Sequence, residues 1–331
     1  MDTRNPITAI TAEIEASEGV EHIGMLSVKS ANRAIDDAAK RPDPQPLYKT
    51  FWYEGEVSCL FADSNLGKSI YAVQIADDIA RYQPVLYLDC ELSEKQFEMR
   101  YCDPISGARH YFPEQFYRAE IDSMRLDIKD YEDNLLSNIE EAAIKLQTRC
   151  LIIDNLTYLC NSSDKGVDAG LFMMKLMQIK KRHGWAILII AHTPKRSLSS
   201  AITQNDLAGS KKLYNFFDSV FAIGKSAQSP RLRYVKQLKV RAGAFEYGPE
   251  NVIVYEIVKT GGYTHFEFRE YSSERAHLKI QEEPLEDELE TTITRLMKEN
   301  KTIRQIAEEV GVSKSKVGRI VQKISRQEEQ K

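Results

Sequence analysis

The stretch "VSCLFADSNLGKSIYAVQIADDIA", residues 57–80, decides how the rest of the chain is read. Its opening, "VSCLFA", is apolar or small at every position, the pattern of a strand buried on both faces. Its close, "KSIYAVQIADDIA", spaces apolar residues as a helix does. Between them lies a short loop that ends in Gly67-Lys68-Ser69. A strand running through such a loop into a helix N-terminus presents a row of backbone N–H groups, which suits phosphate. Lys68 adds a point charge, and the Ser69 hydroxyl adds an oxygen for Mg²⁺. The phosphate-loop pattern G-x-x-x-x-G-K-[ST] asks for glycine where this chain has Ala62. That glycine mainly eases the turn out of the strand, so alanine costs little if its φ is negative. A bare G-K-[ST] is expected by chance about 0.2 times in a chain of this length. The strand before it and the helix after it make the loop specific. Its expected nucleotide contacts are Ala62, Asp63, Ser64, Asn65, Leu66, Gly67, Lys68 and Ser69.

Similar strands recur on either side. "VLYLDC" (85–90), "CLIIDNL" (150–156), "AILIIAH" (186–192) and "SVFAIG" (219–224) are apolar at nearly every position. Helical patterns lie between them at 131–147 and 169–183. Buried strands alternating with helices predict an α/β fold with a parallel sheet. Beyond residue 230, "LRYVKQLKV" and "NVIVYEIVKTGGYTHFEFREY" predict antiparallel strands, the latter folded back near Gly261-Gly262. The expected organisation is a polar segment with one helix (1–49), an ATPase-type core (50–275), an acidic linker (276–290) and a small helical unit (291–331). The early helix, within "SVKSANRAIDDAAKR", ends at the helix-breaking "PDPQP".

The 331 residues are 42% hydrophobic and 28% charged, with a net charge of −4, so any contact with nucleic acid must come from a local patch. The five cysteines form no C-x-x-C pair and read as reduced, buried thiols. No run reaches membrane-spanning length, and the acidic N-terminus is unlike a signal peptide. The expectation is a cytoplasmic protein with no membrane partner.

"CLIIDNL" carries Asp154 at the end of an apolar strand, the arrangement that brings a carboxylate near the Mg²⁺ of a loop-bound nucleotide. "VLYLDCELSEKQFEMR" resembles the second conserved block of RecA-like hexameric ATPases of the DnaB and RepA type. The resemblance implies ATP with Mg²⁺, and it gives Glu91 the task of activating the attacking water. Asp89 is its local competitor. "AILIIAHTPKR" resembles the next block, in which His192 would sense the γ-phosphate. The loop that follows is similar to one facing the central channel of related rings, with Lys195, Arg196, Lys211 and Lys212 as its cations. "LKVRAG" resembles a K-x-R-x-G block whose cations reach a neighbouring subunit's nucleotide, here Lys239 and Arg241, with Gly243 in place. Alternation would put both side chains on one face of a strand. The resemblance covers residues 50–270, departs chiefly at Ala62, and implies a homo-oligomer, a ring of hexameric type. The helix near 28–40 resembles the linker helix that docks on an adjacent subunit in that group.

"TIRQIAEEVGVSKSKVGRIVQKI" (302–324) holds two amphipathic helices. Ile303, Ile306, Ala307 and Val310 form one stripe, and Val317, Ile320, Val321 and Ile324 the other. Thr302 with Gln305 forms a capping box, Gly311 permits the turn, and Ser313 caps the second helix. With "LETTITRLM" before it, the unit resembles the helix-turn-helix of resolvases. Lys314, Ser315, Lys316 and Arg319 would then meet DNA in the major groove. Residues 301–331 carry eight Lys or Arg against four Glu. A helical protein-interaction module fits the same pattern. Two functions follow: an ATP-hydrolysing helicase or replication protein of a plasmid or mobile element, or an ATP-gated DNA-binding regulator that unwinds nothing.

Overall fold

The computed structural model describes residues 21–122, 124, 131–155, 168–193, 197–207, 211–279 and 286–328. Nine strands form one sheet in the order β13-β12-β11-β10-β5-β9-β8-β6-β7. Six of them are parallel: β5 (Val57–Ala62), β6 (Val85–Asp89), β7 (Phe116–Ala119), β8 (Cys150–Asp154), β9 (Ala186–His192) and β10 (Ser219–Lys225). The antiparallel strands β11 (Leu232–Lys239), β12 (Val252–Thr260) and β13 (Tyr263–Ser272) extend it beyond β10. Thr260 pairs with Tyr263 across the Gly261-Gly262 turn, where the sequence places it. This is the α/β class expected.

Both faces of the sheet are covered, which is why its strands are apolar at successive positions. Val57, Cys59 and Phe61 of β5, with Leu151 and Ile153 of β8, point into a core shared with Leu136 and Ile139 of α4 (Tyr131–Lys145) and Phe172 and Leu176 of α5 (Asp168–His183). The alternate residues Leu60, Cys150, Ile152, Leu188 and Ile190 pack on the other side. There they meet Tyr71, Ile75 and Ile79 of α2 (Lys68–Ala80). Each core-facing side chain of this kind contributes about 1.5–3 kcal/mol.

Several segments differ from expectation. The polar N-terminal segment holds a hairpin, β1 (Glu21–Ile23) with β2 (Leu26–Val28), turning at Gly24. The early helix α1 (Ala31–Ala39) starts after Ser30, whose hydroxyl accepts from the Arg33 N–H, and it buries no residue. A second hairpin, β3 (Pro46–Tyr48) with β4 (Trp52–Tyr53), precedes β5. The edge strand β7 and the helix α3 (Glu94–Tyr101) are additional. Residues 1–20, Cys160 and residues 280–285 of the acidic linker lie outside the described residues.

The chain divides into two compact units, one of residues 1–197 and 201–277, the other of 198–200 and 278–331. In the first, after the short helix α6 (Lys211–Phe216), Glu274 forms a buried ion pair with Lys236 and accepts from the Ile202 N–H at 2.8 Å. The second contains α7 (Glu286–Lys298), α8 (Ile303–Val310) and α9 (Lys314–Glu328) around Leu289, Ile293, Leu296, Ile306, Val317, Ile320 and Ile324. Thr302 and Gln305 form the expected capping box, and Gly311 ends α8 with φ 70°. Ile303 departs from its stripe: it is 44% exposed and not part of this core.

Candidate nucleotide site

The C-terminal ends of β5, β6, β8 and β9 lie side by side, with Ala62 paired to His192 and Asp89 to Asp154. Groups 130 residues apart in sequence therefore converge on one rim of the sheet. Ala62 is buried at the end of β5 and is absent from the described non-glycine residues of positive φ, so a glycine's freedom goes unused there. Asn65 (φ 62°) and Gly67 (φ 93°) make the left-handed turns of the loop. Asparagine tolerates that conformation. Gly67 has a second constraint, because a Cβ would lie 2.9 Å from Ile257 Cδ1 and 3.0 Å from the Phe266 ring. The Asp63 carboxylate accepts from the Ser64 N–H at 2.7 Å, which tightens the start of the loop.

Lys68 opens α2 with its side chain folded back, donating from Nζ to the carbonyls of Ala62 and Asp63 at 3.0 Å each. Burial lowers its pKa, opposed by the carboxylates of Asp154, Glu91 and Asp63. Asp154 is buried, 2% exposed. Burial pushes its pKa up to about 6, against the hydrogen-bonding neighbours Ser69 and Tyr87. The Tyr87 hydroxyl donates to it at 2.7 Å. Ser69 and Asp154 together offer hard oxygen donors from one hydroxyl and one carboxyl group. That set fits Mg²⁺, which keeps most of its shell for water and phosphate oxygens.

Beside them Glu91, Asn155 and His192 form a cluster. Asn155 Nδ2 bonds to Glu91 Oε1 and meets His192 Nε2 at 2.8 Å, while His192 Nε2 lies 3.2 Å from Glu91 Oε1. The hydrogen bond to His192 is the main cause of a lowered Glu91 pKa, with the charges of His192, Lys68 and Arg100 adding to it. Glu91 is thus ionised through the neutral range. Asp89 has a different occupation. Its Oδ1 accepts from the N–H groups of Glu91 and Leu92 at 3.1 and 2.9 Å, and its Oδ2 from Arg118 Nε at 3.0 Å. Arg118 also donates to the Leu92 carbonyl and lies over the Phe97 ring. The Asp89–Arg118 pair therefore builds the turn from which Glu91 projects.

Lys239 and Arg241 are elsewhere. Val220 pairs with Lys239, and Ser219 with Ser58, so both cations stand at the opposite rim of the sheet, where β5 begins. The strand ends at Lys239, which corrects the expectation that both residues sit on one strand face: residues 241–243 form a bend. They still converge. Lys239 Nζ donates to the Phe217 carbonyl at 2.6 Å, and Arg241 Nη1 to Asp218 Oδ1 at 2.8 Å. A Cβ on Gly243 would lie 2.2 Å from the Tyr53 hydroxyl, so that side chain would have to move. Lys195 and Arg196 lie outside the described residues, and Lys211 and Lys212 begin α6.

In the second unit, Lys314, Ser315 and Arg319 are exposed on α9 and Lys316 is half-buried. The Lys316 N–H bonds to Ser313 Oγ at 3.2 Å, as the expected cap requires. Asn155 and Arg118 were missed in sequence. The only signal for Asn155 is an amide beside a strand-ending acid.

A family model described as an AAA domain matches residues 27–197, just over half of the chain and including the loop, Glu91, Asp154 and His192. The chain belongs to the AAA domain family. Two relatives of this AAA domain protein are both named DNA repair protein RadA. One, from Pseudomonas aeruginosa, is 24% identical over 196 residues (58% of this chain, 38% of the relative). The other, from Streptococcus pneumoniae, is 23% identical over 195 residues (57% and 40%). The chain thus spans about two fifths of the length of these curated relatives. A crystal structure of a KaiC-like protein from Pyrococcus horikoshii aligns with TM-score 0.49 at 14% identity, over 65% of this chain and 91% of that one. Among the described residues, no helix is long and apolar enough to cross a membrane.

Proposed function

We propose that this AAA domain protein hydrolyses ATP as an oligomer that engages DNA, in the manner of helicase and replication ATPases. The observation that carries the proposal is the convergence of Lys68, the Ser69–Asp154 pair and the Glu91–Asn155–His192 cluster on one rim of the sheet. Lys68 would exchange its two loop carbonyls for phosphate oxygens. Ser69 and Asp154 would hold Mg²⁺, which offsets phosphate charge. Glu91, ionised and held by Asn155 and His192, would accept the proton of the attacking water. His192 and Asn155 link that base to the end of β9 and would respond to the γ-phosphate. Lys239 and Arg241, remote from this rim in their own chain, would serve a neighbour's nucleotide.

The exposed Lys314, Ser315 and Arg319 at the start of α9 support DNA as the partner, and the names of the two RadA relatives agree with it. The resemblance to RepA-type ATPases supports a cytoplasmic role in the replication or transfer of a mobile element. Three measurements test the reading together. Wild-type protein should hydrolyse ATP with Mg²⁺, and Lys68→Ala should not. Removal of residues 278–331 should keep hydrolysis while weakening duplex binding, with a shallower salt dependence. Forked DNA should be unwound with ATP. Hydrolysis without unwinding selects the regulator, and equal duplex binding by the shortened chain removes the DNA role of the helical unit.

A further inference from the structure

Arg233 is a buried cation that the functions above leave unused. It lies near the start of β11, paired with Lys225 of β10 and Tyr255 of β12, and is 9% exposed. Nη1 donates to the carbonyls of Pro230 and Leu232, both at 2.8 Å. Nε donates to the carbonyl of Leu66 at 3.3 Å, across 167 positions of sequence. No carboxylate shares it among the described residues. Burial by itself lowers its pKa. Other buried cations of the chain are compensated: Lys236 by Glu274, and Lys68 by three nearby acids. A buried charge without a counter-ion is costly, so a plain structural role would be served better by a neutral side chain.

The target of Nε explains the choice. A trans peptide is planar, so the C=O of Leu66 and the N–H of Gly67 point in opposite directions. Fixing the carbonyl on Arg233 turns the Gly67 N–H away from Arg233. That N–H has no acceptor among the described residues. The peptide cannot rotate freely toward β12 and β13, since Ile257 and Phe266 fill the space against Gly67. Capping the turn at 230–232 needs only Nη1, and the second arm of the fork is spent on the loop.

Resting on the nucleotide-site reading, we infer that Arg233 is a positioning residue of the phosphate loop, setting the Leu66–Gly67 peptide for a nucleotide phosphate and supplying a buried positive charge behind it. The effect belongs to binding of any nucleotide whose phosphates fill the loop, and therefore to ADP as much as to ATP.

The test uses full-length Arg233→Met and Arg233→Lys, with Lys68→Ala as comparator. Affinities for MgADP and MgATP are measured by displacement of a fluorescent ADP analogue, alongside kcat and KM. Arg233→Met should weaken both nucleotides about tenfold, with kcat at saturating ATP within about threefold of wild type. Arg233→Lys keeps the charge but reaches fewer carbonyls and should recover about half of that loss on a logarithmic scale. A loss of kcat with unchanged affinity overturns the inference, as does wild-type affinity in Arg233→Met. If the methionine variant does not fold, the lysine variant decides alone: wild-type affinity there refutes the two-armed role. Wild-type protein that binds nucleotide no better than Lys68→Ala sinks the nucleotide-site reading itself. Normal Arg233→Met beside a defective Lys68→Ala sinks the positioning role only.

Discussion

Replacing Asp154 by asparagine removes the charge of a buried carboxyl of the site while keeping its shape. Burial moves the pKa of this carboxyl from 3.8 to about 6. At about 1.4 kcal/mol per pH unit, that displacement amounts to about 3 kcal/mol. The sign follows from proton counting. Between about pH 4 and pH 6 the folded protein keeps a proton that the unfolded chain has released, so the wild type loses stability as pH rises. The substituted amide cannot titrate, and it can still bond to Tyr87 and Ser69. The advantage of Asp154→Asn should therefore grow from near zero at pH 4 to about 3 kcal/mol above pH 6.5. Both tryptophans, Trp52 and Trp185, belong to the first compact unit and are buried. Urea unfolding followed by their emission thus reports that unit without interference from the helical one, provided protein concentration is held constant. The same substitution should abolish the stabilisation that Mg²⁺ with ADP confers on the wild type. An advantage that stays constant with pH, or a variant less stable above pH 6.5, would refute the assignment of Asp154 as a strained, metal-ready carboxylate.

Glu91→Gln should retain MgATP affinity and lose at least a hundredfold in kcat, because an amide cannot take the water's proton. Asp89→Asn behaving so, with Glu91→Gln unaffected, would shift the base by two residues. Gly67→Ala should lose measurable nucleotide binding, since both its φ of 93° and the 2.9 Å approach of Ile257 oppose a Cβ. Normal binding by that variant would contradict the loop geometry. Arg241→Ala should bind ATP without turning it over, and mixing it with Lys68→Ala should restore some activity. Mixed oligomers that form without any recovery would confine the site to one chain.

Much of this was legible because it is local. A strand buried on both faces is apolar at nearly every position, and that pattern marked β5, β6, β8, β9 and β10. Lys68, Ser69, Glu91, Asp154 and His192 each stand at, or within two residues of, a strand end or helix start, where short-range pattern is informative. What escaped depends on pairing between distant segments. Asn155 acquires its role only because β6, β8 and β9 are neighbours, which brings Glu91 and His192 to it from 64 and 37 positions away. Arg118 sits on "FYRA", an edge strand too short and too polar to stand out. The β1–β2 hairpin is similarly brief and carries little burial. Ile303 keeps the helical period but stays outside the three-helix core, and period alone does not report burial.

The register that sets Lys239 beside Val220, at the opposite end of β5 from Lys68, has an arithmetic consequence. From Val57, whose N–H bonds to the Asp218 partner of Arg241, to Ala62 the strand is roughly 17 Å long. If the Arg241 end completes a neighbour's site and the chains join head to tail, the contact is heterologous. In a closed cycle every nucleotide then finds a donor, and the number of complete sites equals the number of chains. In an open stack the last chain has none, so a stack of two is half active and a long one nearly fully so. Specific activity should therefore climb with concentration toward a plateau if the array stays open. It should switch on in one cooperative step if the array closes.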